Sequence, residues 1–401
     1  MDSPPVAGAR PVSFWGIGRE AAALGGAVVL AILAVLVVAP SASALPFYGF
    51  NSVALPCQTG EETTARCIDS TEFSWHGGKP FVYRFAVSKR CVDPQDSGYS
   101  DGGDWRRYDN AVDRLRSSNG EPFMVIQWAP AASSCGTWRL PGNNYEYNQF
   151  YWWVRNLVRH YRSRGVQDYE VWNEPNLRAF TGGYNVDPNQ YAYTYCNAWW
   201  ALRDEAIGSR LHLGGIADNG YYGAANTSRY ALDIWLRDVN TKVRAYCPAA
   251  RVSGVSTHWY WENACVDPQT GGSGALDACL SAQRYYINRY WGSDKLLMLT
   301  ETGVGDDRFA WSGISTLNRE EQRQNVASLL DTCNWAWTAL NVRACYYYPI
   351  KEERTWPYCT GGNLTASLDG ERSVYGLVRA TCDINAGEPY PAWWEYYNRL
   401  R

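Results

Sequence analysis

The chain has 401 residues, 46% of them hydrophobic and 15% aromatic, so it is long enough to bury one large core. Its formal net charge is −3 and its lysines are scattered, so it offers no basic surface of the kind that binds nucleic acid. The 20 tryptophans and 29 tyrosines can fill a core, and aromatic rings can also stack against sugars.

The N-terminal segment has the pattern of an export signal. Residues 21–39 form an uncharged apolar run, with Arg10 and Arg19 before it and an Ala-x-Ala ending at Ala44 after it. We therefore predict a signal peptide over residues 1–44 and a secreted, extracellular protein from residue 45. The run exceeds a signal core of ~7–15 residues and approaches the ~20 that span a bilayer. An uncleaved anchor that tethers the protein to the membrane is the alternative.

The cysteine pattern favours disulfide bonds. All twelve cysteines follow residue 44, no two form a Cys-x-x-Cys pair, and only four histidines accompany them. Zinc and thioredoxin sites therefore lack their spacing. An even number of cysteines after an export signal fits an oxidising compartment, where each bridge contributes roughly 2–4 kcal/mol. The sequence leaves the connectivity open, with Cys57 to Cys67 and Cys265 to Cys279 as candidate local pairs.

Strand-like and helical segments alternate along the rest of the chain. The strand-like segments are residues 46–51, 80–87, 123–128, 169–172, 211–217, 252–260, 296–303 and 344–348. The helical segments are residues 61–75, 104–115, 150–161, 191–207, 230–239, 276–290, 318–337 and 392–400. The clearest helix repeats Phe150, Trp153, Leu157 and Tyr161 at helical spacing before Gly165 ends it.

Eight alternations of strand and helix predict an α/β protein with a parallel (β/α)8 TIM barrel, in one domain over residues 45–401. A doubly wound open sheet is the alternative. It lacks the Gly-rich dinucleotide fingerprint after every candidate strand, which also argues against nicotinamide chemistry. We expect neither a cofactor nor a metal.

Two of these strands end in a glutamate. Residues 169–176 read YEVWNEPN, and Pro175 stops the strand so that Glu174 falls at its carboxyl end. Residues 296–303 read LLMLTETG, a buried apolar run that ends in Glu301. Barrels keep their chemistry at this end of the strands, and two facing carboxyl groups suit the cleavage of a glycosidic bond. Alternatively, each glutamate only caps a helix or pairs with an arginine.

The two motifs resemble those of clan A glycoside hydrolases. The segment EVWNEPNL at residues 170–177, followed by Phe180, looks most like family 39, with family 5 as a near neighbour. The resemblance implies a retaining enzyme that hydrolyses O-glycosidic bonds of a plant or microbial polysaccharide or oligosaccharide by double displacement. Glu174 would be the acid/base and Glu301 the nucleophile.

The resemblance also implies roles for neighbouring residues. Asn173 would hold the sugar hydroxyl beside the reacting carbon. Arg84 would steady Glu301 and keep its pKa low. His258 and Tyr260 match strand-six residues of the clan, and the tyrosine hydroxyl could donate to the nucleophile. The alternative for these two is a pair of buried polar residues satisfied locally.

The candidate sugar platforms are aromatic residues near strand ends, namely Trp128, Trp259 and Trp261. The clan usually has a tryptophan at the end of strand eight, whereas this chain has tyrosines at residues 346–348. The sugar subsite next to the scissile bond is therefore expected to have a different shape.

Other functions compete with the hydrolysis of glycosidic bonds. A secreted barrel that binds carbohydrate without cleaving it would keep the tryptophans but would need neither glutamate. A serine or thiol hydrolase would need a nucleophile elbow, and no Gly-x-Ser-x-Gly occurs. We therefore predict a monomeric glycosidase whose partner is its carbohydrate substrate.

Overall fold

The computed structural model describes a large part of the second of two units, Ala44–Arg401, into which the chain divides. The described residues are 48–52, 78–92, 103–129, 138–181, 186–206, 208–217, 231–260, 265–266, 273–274, 276–303, 319–347, 378–379, 388–389 and 391–399. The predicted signal segment, the pair Cys57 and Cys67, and Trp261 lie outside these residues.

Eight parallel strands close into a barrel. They are β1 (Tyr48–Ser52), β2 (Phe81–Ser88), β3 (Gly120–Gln127), β4 (Asp168–Asn173), β5 (Arg210–Ala217), β6 (Gly254–Tyr260), β7 (Leu296–Gly303) and β8 (Val342–Tyr347). Each strand pairs with its sequence neighbours, and β1 pairs with β8 to close the ring. The predicted (β/α)8 barrel is confirmed.

Helices connect or follow these strands. They are α1 (Arg106–Ser117), α2 (Asn144–Arg162), α3 (Pro188–Glu205), α4 (Leu232–Tyr246), α5 (Leu276–Tyr290), α6 (Arg319–Ala339) and α7 (Pro391–Arg399). Smaller elements are the helical turns Lys89–Val92 and Arg178–Phe180, and two antiparallel pairs of two-residue strands: Cys265–Val266 with Ser273–Gly274, and Val378–Arg379 with Glu388–Pro389.

Helix α2 begins nearly two turns earlier than its apolar pattern predicts, because a polar cap starts it. The Asn143 side chain accepts a hydrogen bond from the Glu146 backbone N–H at 3.0 Å, and the Glu146 carboxylate accepts one from Gly142 at 2.7 Å. These bonds satisfy backbone donors that the first turn leaves open. At the other end, Gly165 has a φ of +78°, which favours glycine and lets the chain turn into β4.

The strands separate two apolar regions. The larger core lies between the barrel and its helices, and a smaller cluster fills the barrel interior from β2, β3, β7 and β8. The interior cluster contains Val82, Phe123, Met298, Ala344 and Tyr346. The rings of Phe123 and Tyr346, from strands that are not neighbours, meet edge to face with centroids 5.9 Å apart. The interior below the site is therefore packed rather than open.

Disulfide bonds tie the outer layer together. Cys196 on α3 bonds Cys247 at the end of α4, and Cys333 on α6 bonds Cys345 on β8. Cys279 is also disulfide-bonded, and its predicted pairing with Cys265 stays a prediction. Among the described residues, no helix has both the length and the apolar character that crossing a membrane requires.

Candidate active site

The backbone at the end of β4 adopts an unusual conformation. Trp172 has a φ of +76° and Glu174 a φ of +43°, values that side chains disfavour and that cost about 1–3 kcal/mol each. Neighbouring groups hold them there. The Trp172 indole donates to the Phe180 carbonyl at 2.7 Å, and the Glu174 backbone N–H donates to the Gly215 carbonyl on β5 at 2.8 Å. Such strain often marks a functional site.

Glu301 projects from β7 at the same end of the barrel and is 6% exposed. Its Oε2 accepts a hydrogen bond from the Asn51 amide at 2.6 Å, and Arg84 Nη1 lies 3.4 Å from the same oxygen. The hydroxyl of Tyr260, at the end of β6, donates to Oε1. Donors on β1, β2 and β6 therefore stabilise the ionised form of this carboxyl group.

Arg84 joins the residues of the site. Its guanidinium forms a bidentate ion pair with Glu170 on β4, at 2.5 Å and 3.3 Å, and donates to Asn51 and Asn173 at 2.8 Å each. Glu170 also accepts a hydrogen bond from the Gly215 backbone N–H at 2.9 Å. A planar guanidinium held on several sides presents a fixed charge to Glu301.

His258 connects the two glutamates. Its Nδ1 lies 2.9 Å from Glu174 Oε1 and 3.5 Å from Glu301 Oε2. The ring packs directly against Gly215, where an added Cβ would lie 2.0 Å from Nε2. A side chain at residue 215 would therefore displace the histidine from Glu174.

The two glutamates hold a proton unequally. Burial, and next the negative charge of Glu301, raise the pKa of Glu174 well above its ordinary value. Burial also raises the pKa of Glu301, but Arg84, Tyr260 and Asn51 oppose that increase. Burial and the charge of Arg84 lower the pKa of His258 well below its ordinary value, so the ring is neutral. Of the two glutamates, Glu174 is therefore the group with the higher proton affinity.

One expectation about Glu301 needs correction. The sequence predicted that Arg84 would hold the pKa of Glu301 low. Arg84 does lower it, but burial in a nearly closed site outweighs that effect, and the net direction is upward. The desolvation of a buried carboxylate explains this, because burial penalises the charged form.

Most residues named from the sequence meet at this site. Asn173, Arg84, His258 and Tyr260 all contact one of the two glutamates or each other, as described above. The tryptophans differ. Trp128 and Trp259 are 0% and 1% exposed and belong to the outer core, so neither presents a ring face to a ligand. This corrects their expected role as sugar platforms.

Two participants in the site were not predicted from the sequence. Asn51 bonds both Arg84 and Glu301, and Glu170 anchors Arg84. Each had a signal. Asn51 stands near the carboxyl end of β1, level with Arg84 in the barrel register. Glu170 is a charged residue between Tyr169 and Val171 in β4 and is 0% exposed, which requires a partner.

One group of described residues has the geometry to hold a metal ion. An oxygen of Glu174, an oxygen of Glu301 and a ring nitrogen of His258 lie within 4.8 Å of one another. Carboxylates and imidazole are suitable ligands. However, the fixed positive charge of Arg84, 3.4 Å from Glu301, would repel a cation. The proton on Glu174 would also have to leave. The charges in this site favour proton transfer.

Comparison with known proteins finds the same barrel fold in glycoside hydrolases. The chain matches none of the known protein-family models. It is 25% identical over 166 residues to a β-xylosidase of Caldicellulosiruptor saccharolyticus, a match that covers 38% of this chain and 30% of that protein. The chain therefore spans less than a third of this curated relative.

Solved structures share the barrel over most of the chain. A monomeric β-xylosidase from Caulobacter crescentus CB15 superposes with a TM-score of 0.58 at 18% identity, covering 88% of this chain and 67% of the other. A family 39 enzyme from Xanthomonas axonopodis pv. citri superposes with a TM-score of 0.56 at 17% identity, covering 88% and 65%.

A family 1 β-glucosidase from Thermotoga maritima also superposes, with a TM-score of 0.55 at 13% identity, covering 82% of this chain and 84% of the other. At such identities, the structural likeness concerns the fold. The predicted resemblance is confirmed at that level: the chain has the barrel fold of clan A glycoside hydrolases, and a family 39 enzyme is among the structures that share it.

Proposed function

We propose that the protein is a retaining glycosidase, with Glu174 as acid/base and Glu301 as nucleophile. One observation carries the proposal: two buried carboxyl groups with unequal proton affinities lie side by side at the carboxyl end of the barrel. Oxygens of the two groups lie within 4.8 Å of each other. This separation supports retention, for which ~5–5.5 Å is typical, over inversion, which needs ~6.5–9.5 Å to admit a water.

The geometry supports a double displacement. Ionised Glu301 attacks the anomeric carbon while Glu174 gives its proton to the departing oxygen, so that the glycosidic bond breaks and a glycosyl ester forms. Glu174 is then ionised and can accept a proton from water. The water attacks the same carbon and releases Glu301. His258 Nδ1 can donate to ionised Glu174 or accept from its protonated form, which keeps the carboxyl group oriented in both steps.

The relatives suggest the class of substrate. The curated relative and one structural neighbour are named β-xylosidases, and another neighbour is named a β-glucosidase. We therefore propose β-linked xylose or glucose units of a plant or microbial polysaccharide, or of its oligosaccharides, as the substrate.

A fluorinated substrate tests the assignment directly. A 2-deoxy-2-fluoro β-xyloside or β-glucoside with an acidic phenol as leaving group should inactivate the enzyme, because the fluorine slows the second step more than the departure of the phenol. Peptide mass analysis should then find the sugar on Glu301. A label on another residue would contradict the nucleophile assignment. Turnover that gives the inverted anomer, read by proton NMR, would contradict the retaining mechanism.

We also propose that the protein is secreted. The apolar segment before Ala44 and the disulfide bonds Cys196 to Cys247 and Cys333 to Cys345 support export to an oxidising compartment. N-terminal sequencing of protein from the culture medium should begin at Leu45. Protein found only in the membrane fraction, with residues 1–44 intact, would support the anchored alternative.

A further inference from the structure

An open groove lies on the outer surface of the barrel, along helix α6. It has a volume of about 660 Å³ and is lined by Asp277 at the start of α5 and by one side of α6. The α6 residues recur three or four apart, so their side chains form one stripe. They are Arg323, Gln324, Ala327, Ser328, Asp331, Thr332 and Trp335. From residue 324 to residue 335 this stripe spans roughly 16 Å at the helical rise.

Among the described residues that line this groove, Trp335 is the only aromatic one, and it is unusually exposed. Its side chain is 44% exposed, although tryptophan is among the more buried residue types. Within the part of the chain that the structure describes, its ring stacks on no other aromatic ring. An indole face open to solvent in a concave site is a surface on which the apolar C–H face of a sugar ring can rest.

The groove around this ring is polar. Gln324 offers an amide, one of whose donors bonds Glu320 at 3.2 Å, and Ser328 offers a hydroxyl group. The Thr332 hydroxyl donates to the Ser328 carbonyl at 3.0 Å and can still accept, and Asp277 offers a carboxylate that accepts. A carbohydrate presents hydroxyl groups that need both kinds of partner. Ala327 is the one other apolar residue in the described lining, so this lining lacks the apolar core that a protein interface requires.

Two charged residues of the groove form ion pairs with helix α7. Arg323 bonds Glu395 at 3.0 Å, and Asp331 pairs with Arg399. Arg323 also bonds Glu320 on its own helix at 2.7 Å. Side chains that are already held in place lose little freedom when a ligand binds, which favours weak ligands such as neutral sugars.

We propose that this groove is a second carbohydrate-binding site, which holds a stretch of neutral polysaccharide on Trp335 outside the catalytic site. The proposal rests on the proposed function only for the class of polymer. Such a site would keep the enzyme on an insoluble substrate between cleavage events and would raise the local concentration of chain ends or bonds at the barrel mouth.

Two exposed tryptophans provide a matched comparison. Trp394 on α7 is 52% exposed, close to the 44% of Trp335, and does not line the groove. The assay measures the binding of Glu301→Gln protein to insoluble xylan and to insoluble cellulose, because this variant should not degrade them. Adding Trp335→Ala should weaken binding to at least one polymer by about tenfold or more. Trp335→Phe should restore part of the affinity, and Trp394→Ala should leave it unchanged.

Hydrolysis of a small aryl glycoside, measured with the groove variant of the otherwise wild-type protein, distinguishes an effect on the groove from an effect on the catalytic residues. Trp335→Ala should leave this activity unchanged while lowering the rate on insoluble polymer. The proposal is overturned if the parent protein binds neither polymer, or if Trp335→Ala and Trp394→Ala bind equally well. It is also overturned if light scattering shows that Trp335→Ala dissociates an oligomer. If fluoro-sugar trapping fails but Trp335→Ala still loses polymer binding, the catalytic proposal fails and the groove remains.

Discussion

Arg84 and Glu170 form a bidentate ion pair inside the barrel, and neither side chain is more than 2% exposed. Glu170 thus fixes the guanidinium that contacts Asn51, Asn173 and Glu301. Breaking a buried pair of this kind costs about 3–5 kcal/mol, because it leaves an uncompensated charge. The same residue acts on the chemistry, because its negative charge adds to burial in raising the pKa of Glu301.

Glu170→Gln should therefore change both rate and pH dependence. The amide keeps an oxygen for Arg84 but loses the charge, so kcat/KM for an aryl glycoside should fall on the order of tenfold to a hundredfold through looser positioning. The pKa of Glu301 should fall, which moves the acidic limb of the kcat/KM profile to lower pH. Glu121→Gln is the control, because Glu121 pairs with Arg116 at the surface. An unshifted acidic limb in Glu170→Gln would contradict the role of its charge.

Tyr260→Phe should shift the same limb in the opposite direction. The tyrosine hydroxyl donates to Glu301 and lowers its pKa, so removing the hydroxyl raises that pKa. The acidic limb should move to higher pH, and kcat should decrease because less Glu301 is ionised. The measurement is a pH profile of an aryl glycoside with the two variants side by side. If the acidic limbs of both pH profiles moved in the same direction, loss of structure rather than the change in charge would explain the shift.

The two glutamates should respond differently to substitution by alanine. Glu301→Ala should abolish turnover of every substrate, because no covalent intermediate can form. Glu174→Ala should lower the rate on polysaccharide by about 10²–10⁴-fold but leave the first step nearly intact on a glycoside with an acidic phenol.

Azide entering the space left by Glu174 should restore turnover of that glycoside and give a glycosyl azide with retained configuration. Mass spectrometry and NMR of the product check this result. Equal inactivity of both variants on the activated glycoside, without rescue by azide, would remove the distinction between acid/base and nucleophile.

The raised pKa of Glu174 also predicts how stability depends on pH. In the window between the unfolded pKa of about 4.3 and the higher folded value, the folded state binds more protons than the unfolded chain. Stability contributed by this group therefore falls as pH rises through the window. Above it, the folded protein carries a buried, unfavourable carboxylate.

Glu174→Gln removes this penalty, so the variant should unfold at a higher temperature than the wild type at neutral and alkaline pH. The difference should shrink as pH falls below the unfolded pKa. Thermal unfolding between acidic and alkaline pH measures it, with Glu121→Gln again as the surface control. A variant that is less stable than the wild type at all pH values would mean that the bond from His258 outweighs the cost of burial.

The positions of the catalytic candidates could be predicted because they depend on local rules. Pro175 ends β4 just after Glu174, and the apolar run of β7 ends at Glu301. In a parallel barrel, the carboxyl ends of all strands lie on one face, so the two residues had to share it. The placement of Arg84 and His258 was predicted from the resemblance to clan A glycoside hydrolases, and Arg84 stands in the middle of β2 rather than at its carboxyl end.

The predicted roles of Trp128 and Trp259 were wrong, although the alternation of side chains along a strand indicates where their rings point. Trp259 stands between His258 and Tyr260, which both point into the site, so its ring must point to the helices. Trp128 follows Met124 and Ile126 at two-residue spacing, so its side chain points to the same face as theirs, which packs in the outer core. The pKa of Glu301 could not be predicted, because it depends on the balance between burial and three donors from three strands. That balance exists only after the barrel closes.

The backbone around Asn173 has a consequence for protein engineering. Positive φ angles on both sides of this residue are held by the carbonyl groups of Phe180 and Gly215, which are supplied by the following turn and by β5. A peptide carrying residues 170–177 alone would relax to another shape. Anyone grafting this motif into a different barrel must therefore transplant the next strand and its glycines with it. The smallest portable unit of this motif is therefore β4 and β5 together with the turn that carries Phe180.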